Sequence, residues 1–209
     1  YKAGNKSFNV VTVNNDTKSQ FEEHTRAHGV SFPVLNDRDG DGGIFGIYKI
    51  KGIPNFYLFS PDGIVKDKWM GAYPEKVFNS ITKSSSFKWN TSVEKKGNAK
   101  VVNYPPIESI NSIFIAEKVT LYADSTVIDF LSCSPAFSFG SGSTLHYNGK
   151  QYKVISSSIG LDKFVEGMIG HGSHVTATFE PLPMDATKFD YIEGDCDNCF
   201  KILGIELPE

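Results

Sequence analysis

The sequence has little cysteine, with three residues among 209. Three cysteines are too few for the disulfide framework that holds small secreted domains together, although one local disulfide would suit an oxidising compartment. No run of about 18 apolar residues occurs, which excludes a membrane-spanning helix. The net charge of −3 is small, so neither nucleic acid nor an anionic membrane is favoured as a partner.

The sequence also opens at Tyr1 without a methionine or a signal-like segment, so we expect a processed or truncated start. Aromatic residues, in contrast, are plentiful, because they make up 13 % of the chain and include sixteen phenylalanines. This length and composition predict a globular chain with a sizeable core, arranged as one large domain or two modest ones.

The first part of the chain alternates between strand and helix patterns. "FNVVTVN" (8–14) is a short apolar and β-branched run typical of a buried strand. A helix should follow, capped by Asp16 or Thr17. "NFYLFSPDGIVKDKWMG" predicts two strands around Pro61-Asp62-Gly63, because proline presets φ and glycine supplies a positive φ. With a further helix in "YPEKVFNSITK", this order predicts an α/β domain over residues 1–83.

The second part of the chain has a different pattern. A polar stretch predicts a linker over residues 84–104. After it come apolar runs of strand length, and Asn148-Gly149 between two of them is a strong hairpin signal. Strands at regular spacing with turn residues between them predict an antiparallel β-sandwich over residues 105–209. The expected fold class is therefore α/β plus all-β.

Two segments carry a resemblance to a known family. "YKIKGIPNFYLFSPDGIVKDKWMGAYPEKVFNSI" resembles the C-terminal half of thioredoxin-like proteins, specifically the TlpA/ResA type of envelope thiol-disulfide oxidoreductase. "FEPLP", "DYIEGD" and "KILGIEL" resemble an accessory β-domain found with such proteins. The resemblance implies a partial thioredoxin-like fold followed by a β-sandwich, located in the periplasm or cell envelope of a Gram-negative bacterium.

The resemblance also implies a substrate-binding feature. In this family, Ile53-Pro54 would be a cis peptide bond, and the backbone of Ile53 would pair with an extended substrate segment. The implied partners are the thiols of exported or periplasmic proteins. Without the resemblance, Pro54 is simply a trans proline at the entry to a strand.

The family's catalytic W-C-x-x-C motif is missing from this sequence. It should lie upstream of "FNVVTVN", and the sequence begins seven residues before that strand. The strand that leads to the motif is central in a thioredoxin sheet, so "FNVVTVN" and "NFYLFS" should each present an unpaired edge. We expect an upstream segment to fill the gap, with strand exchange in a homodimer as the alternative.

The sequence has one C-x-x-C pair of its own, Cys196 and Cys199. A reactive thiolate needs a lowered pKa, but the residues around this pair are acidic. We therefore favour a structural disulfide or two ordinary thiols, while a catalytic pair and a metal site stay open. Zinc would need two further ligands, for which His171 and His174 are the candidates. Cys133 is predicted to be a lone buried thiol.

Three aspartates at alternate positions, Asp37, Asp39 and Asp41, resemble the start of an EF-hand calcium loop. The twelfth position of such a loop should be a bidentate glutamate, but here it is Tyr48. Calcium is therefore the one cofactor to consider, and no other is expected. As an alternative without an ion, Asp39 or Asp41 would cap the following helix.

The leading functional prediction is a thioredoxin-like protein of the cell envelope that exchanges thiols and disulfides, with its reacting cysteines outside this sequence. The mechanism would be thiolate attack through a mixed disulfide. The alternative is a redox-inactive binding or scaffolding module whose β-sandwich binds protein or glycan. A calcium-steadied adhesion module is a third hypothesis.

Overall fold

The fold comes from a computed structural model, which describes residues 9–14, 17–27, 34–37, 42–52, 54–71, 73–83, 87–134, 136–166, 173–194, 196 and 199–209. Contacts divide the chain into two units. The N-terminal unit spans Lys6–Tyr73, and the C-terminal unit contains Pro74–Glu209.

The N-terminal unit alternates short strands and helices. Its elements are β1 (Thr12–Asn14), α1 (Lys18–Ala27), β2 (Val34–Asn36), α2 (Ile44–Ile47), β3 (Asn55–Phe59) and β4 (Val65–Met70). Strands β1 and β2 pair in parallel, whereas β3 and β4 form an antiparallel hairpin. The predicted turn at Pro61-Asp62-Gly63 is confirmed, with Gly63 at a φ of 83°.

A capping box begins helix α1. The hydroxyl of Thr17 accepts the backbone N–H of Gln20, and the Gln20 side chain accepts the backbone N–H of Thr17. These two contacts satisfy donors that the first helical turn leaves without intrahelical partners. Of the two caps expected from the sequence, the structure therefore uses Thr17.

The C-terminal unit is mostly β. It begins with helix α3 (Pro74–Thr82). Its strands are β5 (Ser92–Lys96), β6 (Ala99–Asn103), β7 (Ile107–Asn111), β8 (Phe114–Leu121), β9 (Thr126–Ser132), β10 (Ala136–Phe137), β11 (Thr144–Tyr147), β12 (Lys150–Ser157), β13 (Val165–Glu166), β14 (Ser173–Phe179), β15 (Lys188–Ile192) and β16 (Lys201–Glu206).

Ten of these strands form one curled antiparallel sheet in the order β5-β6-β8-β9-β14-β12-β11-β15-β16-β7. The long strand β12 pairs with β11 through its first half and with β14 through its second half. A register shift between Val154 and Ser156 lies within the pairing of β12 with β14, and such irregularities bend a strand. The predicted hairpin at Asn148-Gly149 joins β11 to β12, and both of its central residues have positive φ.

The core of the C-terminal unit lies inside the curl of the sheet. Strand β9 alternates in burial, so that Ile128 and Phe130 face inward while Asp129 lies on the other face. The centre is an aromatic cluster whose ring centroids lie 5.1–6.4 Å apart, comprising Phe114, Phe130, Phe139, Phe179 and Tyr191. Burying each such side chain stabilises the fold by about 1.5–3 kcal/mol.

The predicted division of the chain differs from the structure in two respects. Helix α3, placed by the sequence in the first domain, belongs to the C-terminal unit, because Phe78 is buried in that unit's core. The predicted linker over 84–104 contains strands β5 and β6, which pair across the turn Gly97-Asn98. Its polar composition suggested a linker, but Gly-Asn between two short strands is itself a hairpin signal.

Candidate functional site

The N-terminal unit exposes an unusual amount of apolar surface. None of its large apolar side chains that the structure describes is buried. Ten of them are classed as exposed, namely Val10, Val11, Leu35, Ile47, Tyr48, Phe59, Ile64, Val65, Met70 and Tyr73. This exposure contrasts with the C-terminal unit, whose large apolar side chains form a buried core.

Both strand pairs of this unit end at open edges. In the part of the chain that the structure describes, β1 has only β2 as a strand neighbour, and β3 has only β4. Each of β1 and β3 therefore keeps one side without a neighbouring strand, as the sequence predicts for "FNVVTVN" and "NFYLFS". An open edge is a template on which another extended chain can pair.

One of the two predicted substrate-binding residues, Pro54, lies beside one of these edges. Pro54 is exposed and directly precedes β3, and its carbonyl accepts the backbone N–H of Gly71 at 2.9 Å. Within the hairpin, Phe56 and Trp69 stack with ring centroids 5.3 Å apart. Ile53 lies outside the described residues, so its predicted backbone role stays a prediction.

The predicted pair Cys196 and Cys199 is joined in a disulfide between strands β15 and β16. The backbone N–H of Cys199 donates to the carbonyl of Cys196 at 3.2 Å, and this hydrogen bond closes the turn. A β-carbon at Gly194 would come within 3.2 Å of Cys199 Sγ, so the disulfide packs against the backbone there. This placement in a hairpin turn favours the structural interpretation over a catalytic one.

A half-buried carboxyl lies near this hairpin. The backbone of Glu193 donates to the carbonyl of Phe200 at 3.0 Å, and burial raises the pKa of its side chain. A carboxyl of this kind would not lower the pKa of a neighbouring thiol as a cation does. The electrostatics described around the pair therefore do not favour a reactive thiolate.

Three of the four side chains considered as zinc ligands, Cys196, Cys199 and His174, have other partners. The sulfurs of Cys196 and Cys199 bond to each other, and His174 Nδ1 lies 3.2 Å from the carboxylate of Glu117. His171 is outside the described residues. No group of three or more metal-ligating side chains occurs in the described part of the chain.

Cys133 differs from its prediction as a buried thiol, because the residue is exposed. Cys133 follows the last residue of β9, and its backbone N–H donates to the carbonyl of Ile113 at 2.7 Å. In β9 the odd-numbered residues lie on the less buried face, and Cys133 continues that face directly after the strand. Desolvation by neighbouring atoms nevertheless raises the pKa of the thiol, which disfavours its reactive thiolate form.

Of the three aspartates predicted as calcium ligands, Asp37 is described. Its Oδ2 accepts the backbone N–H of Phe45 in helix α2 at 2.8 Å, so this carboxylate serves the start of the helix. A side chain at Gly43 would collide with the same carboxylate. Asp37 thus makes a contact of the capping kind, while the capping role expected of Asp39 or Asp41 stays a prediction. Asp39 and Asp41 lie outside the described residues, and the calcium prediction stays untested.

One feature of the N-terminal unit was missed by the sequence reasoning. Helix α2 and the β3-β4 hairpin enclose an open depression of about 560 Å³. Aromatic and basic side chains line it, including Tyr48, Tyr57, Lys49, Lys66 and Lys68. Repeated lysines in "YKIK" and "VKDK" are the signal, but only the fold brings these segments together.

The described residues thus offer an open edge on each of strands β1 to β4, an aromatic and basic depression, and a disulfide-closed hairpin. No helix among them is long and apolar enough to cross a membrane. Comparison of the chain with family models, with curated proteins and with solved structures gave no match.

Proposed function

We propose that this chain is a thioredoxin-like binding module whose N-terminal unit takes up an extended polypeptide segment by strand addition. The observation that carries the proposal is the pair of open edges on β1 and β3, on a unit whose apolar side chains are exposed. Strand addition supplies backbone hydrogen bonds for affinity, and alternate side chains of the bound segment supply specificity.

The resemblance to TlpA/ResA-like proteins supports this role for the edge of β3. In that family, the residue before the proline at position 54 pairs with the substrate backbone, and Pro54 itself stands exposed at the start of β3. The Cys196–Cys199 disulfide supports an oxidising location such as the periplasm, since disulfides persist there. The C-terminal unit, with its curled ten-stranded antiparallel sheet, would serve as the scaffold.

Thiol-disulfide exchange is the second candidate function. The open edges of β1 and β3 support it, because the resemblance places between these strands the one that leads to W-C-x-x-C. A segment with that motif would supply a thiolate that attacks a substrate disulfide, forming a mixed disulfide that a second thiol resolves. Cys196 and Cys199 are the weaker choice for this chemistry because of their place in a hairpin turn.

Binding of a fluorescent peptide with alternating valine and threonine tests strand addition. We expect Val11→Lys and Phe59→Lys to weaken binding about tenfold or more, because a charge at an apolar edge opposes pairing. Tyr122→Lys is the matched control in the C-terminal unit, since Tyr122 is 43 % exposed and Phe59 is 44 % exposed. Failure of the wild-type chain to bind, or equal losses in all three variants, would overturn strand addition.

An insulin-reduction assay separates the two candidate functions. The binding-module proposal expects no reduction by the 209-residue chain. Reduction that disappears in a Cys196→Ser/Cys199→Ser variant would instead assign the exchange to that pair.

A further inference from the structure

The depression between helix α2 and the β3-β4 hairpin combines two chemical features. Its wall carries three lysines, Lys49, Lys66 and Lys68, and two tyrosines, Tyr48 and Tyr57. Its volume of about 560 Å³ is in the range of small-molecule sites. Two local irregularities of the backbone place lysines in this wall.

The first irregularity is the end of helix α2. The N–H groups of Lys49 and Ile50 donate to the carbonyls of Gly46 and Phe45, which is the hydrogen-bond pattern of a Schellman motif. The motif requires a left-handed residue directly after the helix cap, and Lys49 takes that place with a φ of 51°. Glycine is the usual residue there because it has no β-carbon to strain. A lysine at this position is therefore a local cost to the fold.

The second irregularity is a β-bulge in the hairpin. Leu58 pairs with Asp67 and Phe59 pairs with Val65, which leaves Lys66 as an extra residue in β4. Bulges redirect side chains and are frequent beside functional sites. Lys68 lies directly opposite Tyr57 in the regular part of the same ladder. The bulge thus adds a second lysine to a wall that already holds Lys68.

The tyrosines form a fixed aromatic surface. The rings of Tyr48 and Tyr57 meet edge to face with centroids 5.1 Å apart, and the Tyr57 hydroxyl donates to the carbonyl of Tyr48 at 3.3 Å. Phe59 extends the group, with its centroid 6.1 Å from that of Tyr48. Tyr48 is nonetheless 39 % exposed, so ring surface remains accessible to a ligand.

Among the described lining residues, lysines outnumber carboxylates. In the described part of the chain, no carboxylate lies within ion-pairing distance of the ammonium groups of Lys49, Lys66 or Lys68. Asp67 also lines the depression, and its Oδ1 accepts the backbone N–H of Lys68 at 2.8 Å. The wall therefore carries more positive than negative charge.

We propose that this depression binds an acidic oligosaccharide, with its carboxylate or sulfate groups on the lysines and its sugar rings against the tyrosines. Lysine ammonium groups act as point charges and suit separated anionic groups. Single-stranded nucleic acid is disfavoured, because it requires a longer basic groove that follows its backbone. A flexible acidic peptide would lose more conformational freedom on binding and would place no flat surface on the tyrosine rings.

Calorimetric titration of the whole 209-residue chain tests the proposal. The probes are a heparin oligosaccharide and an oligogalacturonate, which distinguish sulfate from carboxylate as the anionic group. A neutral maltooligosaccharide, polyglutamate and oligothymidylate are the comparison ligands. We expect at least one acidic sugar to bind and each comparison ligand to bind about tenfold more weakly or not at all.

Variants locate the site. Lys66→Gln, Lys68→Gln and Tyr57→Leu should each weaken sugar binding about tenfold, because each removes a charge-assisted or ring contact. Lys51→Gln is the matched control, since Lys51 is exposed nearby but does not line the depression. Lys49→Gly should weaken binding while relieving the strained backbone, so its loss of binding could not be attributed to unfolding.

Three results would overturn the proposal. They are the absence of binding by both acidic sugars, equally tight binding of polyglutamate or oligothymidylate, and an equal loss of sugar binding in Lys51→Gln. The strand-addition proposal uses a different ligand and different variants, so either proposal can fail without the other.

Discussion

The two units of the chain differ in whether the outer edges of their strands are covered or charged. In the C-terminal unit, the last strand β7 is covered by helix α3, where the Asn79 amide donates to the carbonyl of Ile110 and accepts its N–H. The opposite edge strand, β5, carries the exposed charges Glu94, Lys95 and Lys96. In the N-terminal unit, β1 and β3 have neither device on their described residues. Natural proteins protect edges that are not meant to pair. The strand-addition proposal rests on the lack of such protection at β1 and β3.

The two units also differ in how deeply they bury their apolar strands. Strand β9 reads "TVIDFLS" and alternates cleanly between buried and half-buried residues. Strand β3 reads "NFYLF", is richer in apolar residues, and buries none of them fully. Apolar content alone therefore does not decide burial, because a strand needs packed neighbours on at least one face. The N-terminal unit lacks those neighbours among its described residues.

The largest expected effect tests this contrast in burial. Phe130→Ala should lower the free energy of unfolding by about 3–5 kcal/mol, because Phe130 is fully buried in the aromatic cluster. Phe59→Ala should lower it by less than about 1 kcal/mol, since exposed positions contribute little. Urea unfolding followed by circular dichroism measures both. An equal cost at the two positions would show that the N-terminal unit has a core of its own.

The second-largest effect on stability is expected when the contact between helix α3 and the edge of β7 is removed. Asn79→Ala removes both side-chain hydrogen bonds to Ile110 and should cost about 2 kcal/mol, because two backbone groups lose their partner. Asn90→Ala, at an exposed position of the same unit, is the control. Thermal unfolding would reveal the difference. If the two variants unfolded alike, the amide cover would be irrelevant to stability.

Removing the disulfide should have a comparable or smaller effect. Cys196→Ser/Cys199→Ser should destabilise the chain by at most about 2 kcal/mol, because the closed loop is very short and releases little chain entropy. Cys133→Ser should change almost nothing, since that thiol is free and exposed. Urea unfolding under non-reducing conditions compares the three proteins. A loss several times larger would mean that the hairpin organises more of the unit than its contacts indicate.

In the N-terminal unit, one substitution should stabilise. Lys49→Gly should raise the free energy of unfolding by about 1 kcal/mol, because glycine adopts a φ near 51° without strain. Lys49→Ala is the matched control and should give no such gain, since it keeps the β-carbon. Amide hydrogen exchange within helix α2 reports the change locally. Equal behaviour of the two variants would show that the left-handed backbone is not strained.

The smallest expected effect depends on pH. Burial raises the folded-state pKa of Glu193 above its unfolded value, so the folded chain binds more protons than the unfolded chain between those two pKa values. Stability linked to Glu193 is therefore fully present at low pH and is lost as pH rises through the folded pKa. Glu193→Gln should raise stability at neutral pH by less than about 1 kcal/mol, because the carboxylate is only half-buried and is screened by solvent.

The gain from Glu193→Gln should vanish below the unfolded pKa of Glu193. Glu209→Gln, at the exposed end of the chain, controls for the change in net charge. Melting temperatures across a pH series measure both variants. A gain that is independent of pH would assign the effect to something other than the burial of this carboxyl.

Much of the local structure could be predicted from the sequence. The capping box at Thr17, the turn at Pro61-Asp62-Gly63 and the hairpin at Asn148-Gly149 depend on a few adjacent residues. The Cys196–Cys199 disulfide was among the predicted alternatives because only two residues lie between the two cysteines in sequence. The linker prediction was wrong because residues 84–104, although polar, contain the turn signal Gly97-Asn98 between two strands that pair.

The depression could not be predicted in the same way. Lys49 follows a helix, and Lys66 lies in a strand of the hairpin, so no single sequence window contains both. Their approach depends on the Schellman ending of α2 and on the bulge opposite Phe59.

Four features could be predicted from the sequence alone: the turns, the helix cap, the alternating strands of the C-terminal unit and its large aromatic core. They follow from backbone preferences and from the spacing of apolar residues over short distances. Only the tertiary structure decided that α3 covers β7, that β5 and β6 join the sheet, and which apolar strands remain exposed. Those outcomes depend on contacts between residues far apart in the chain, and a local pattern does not contain them.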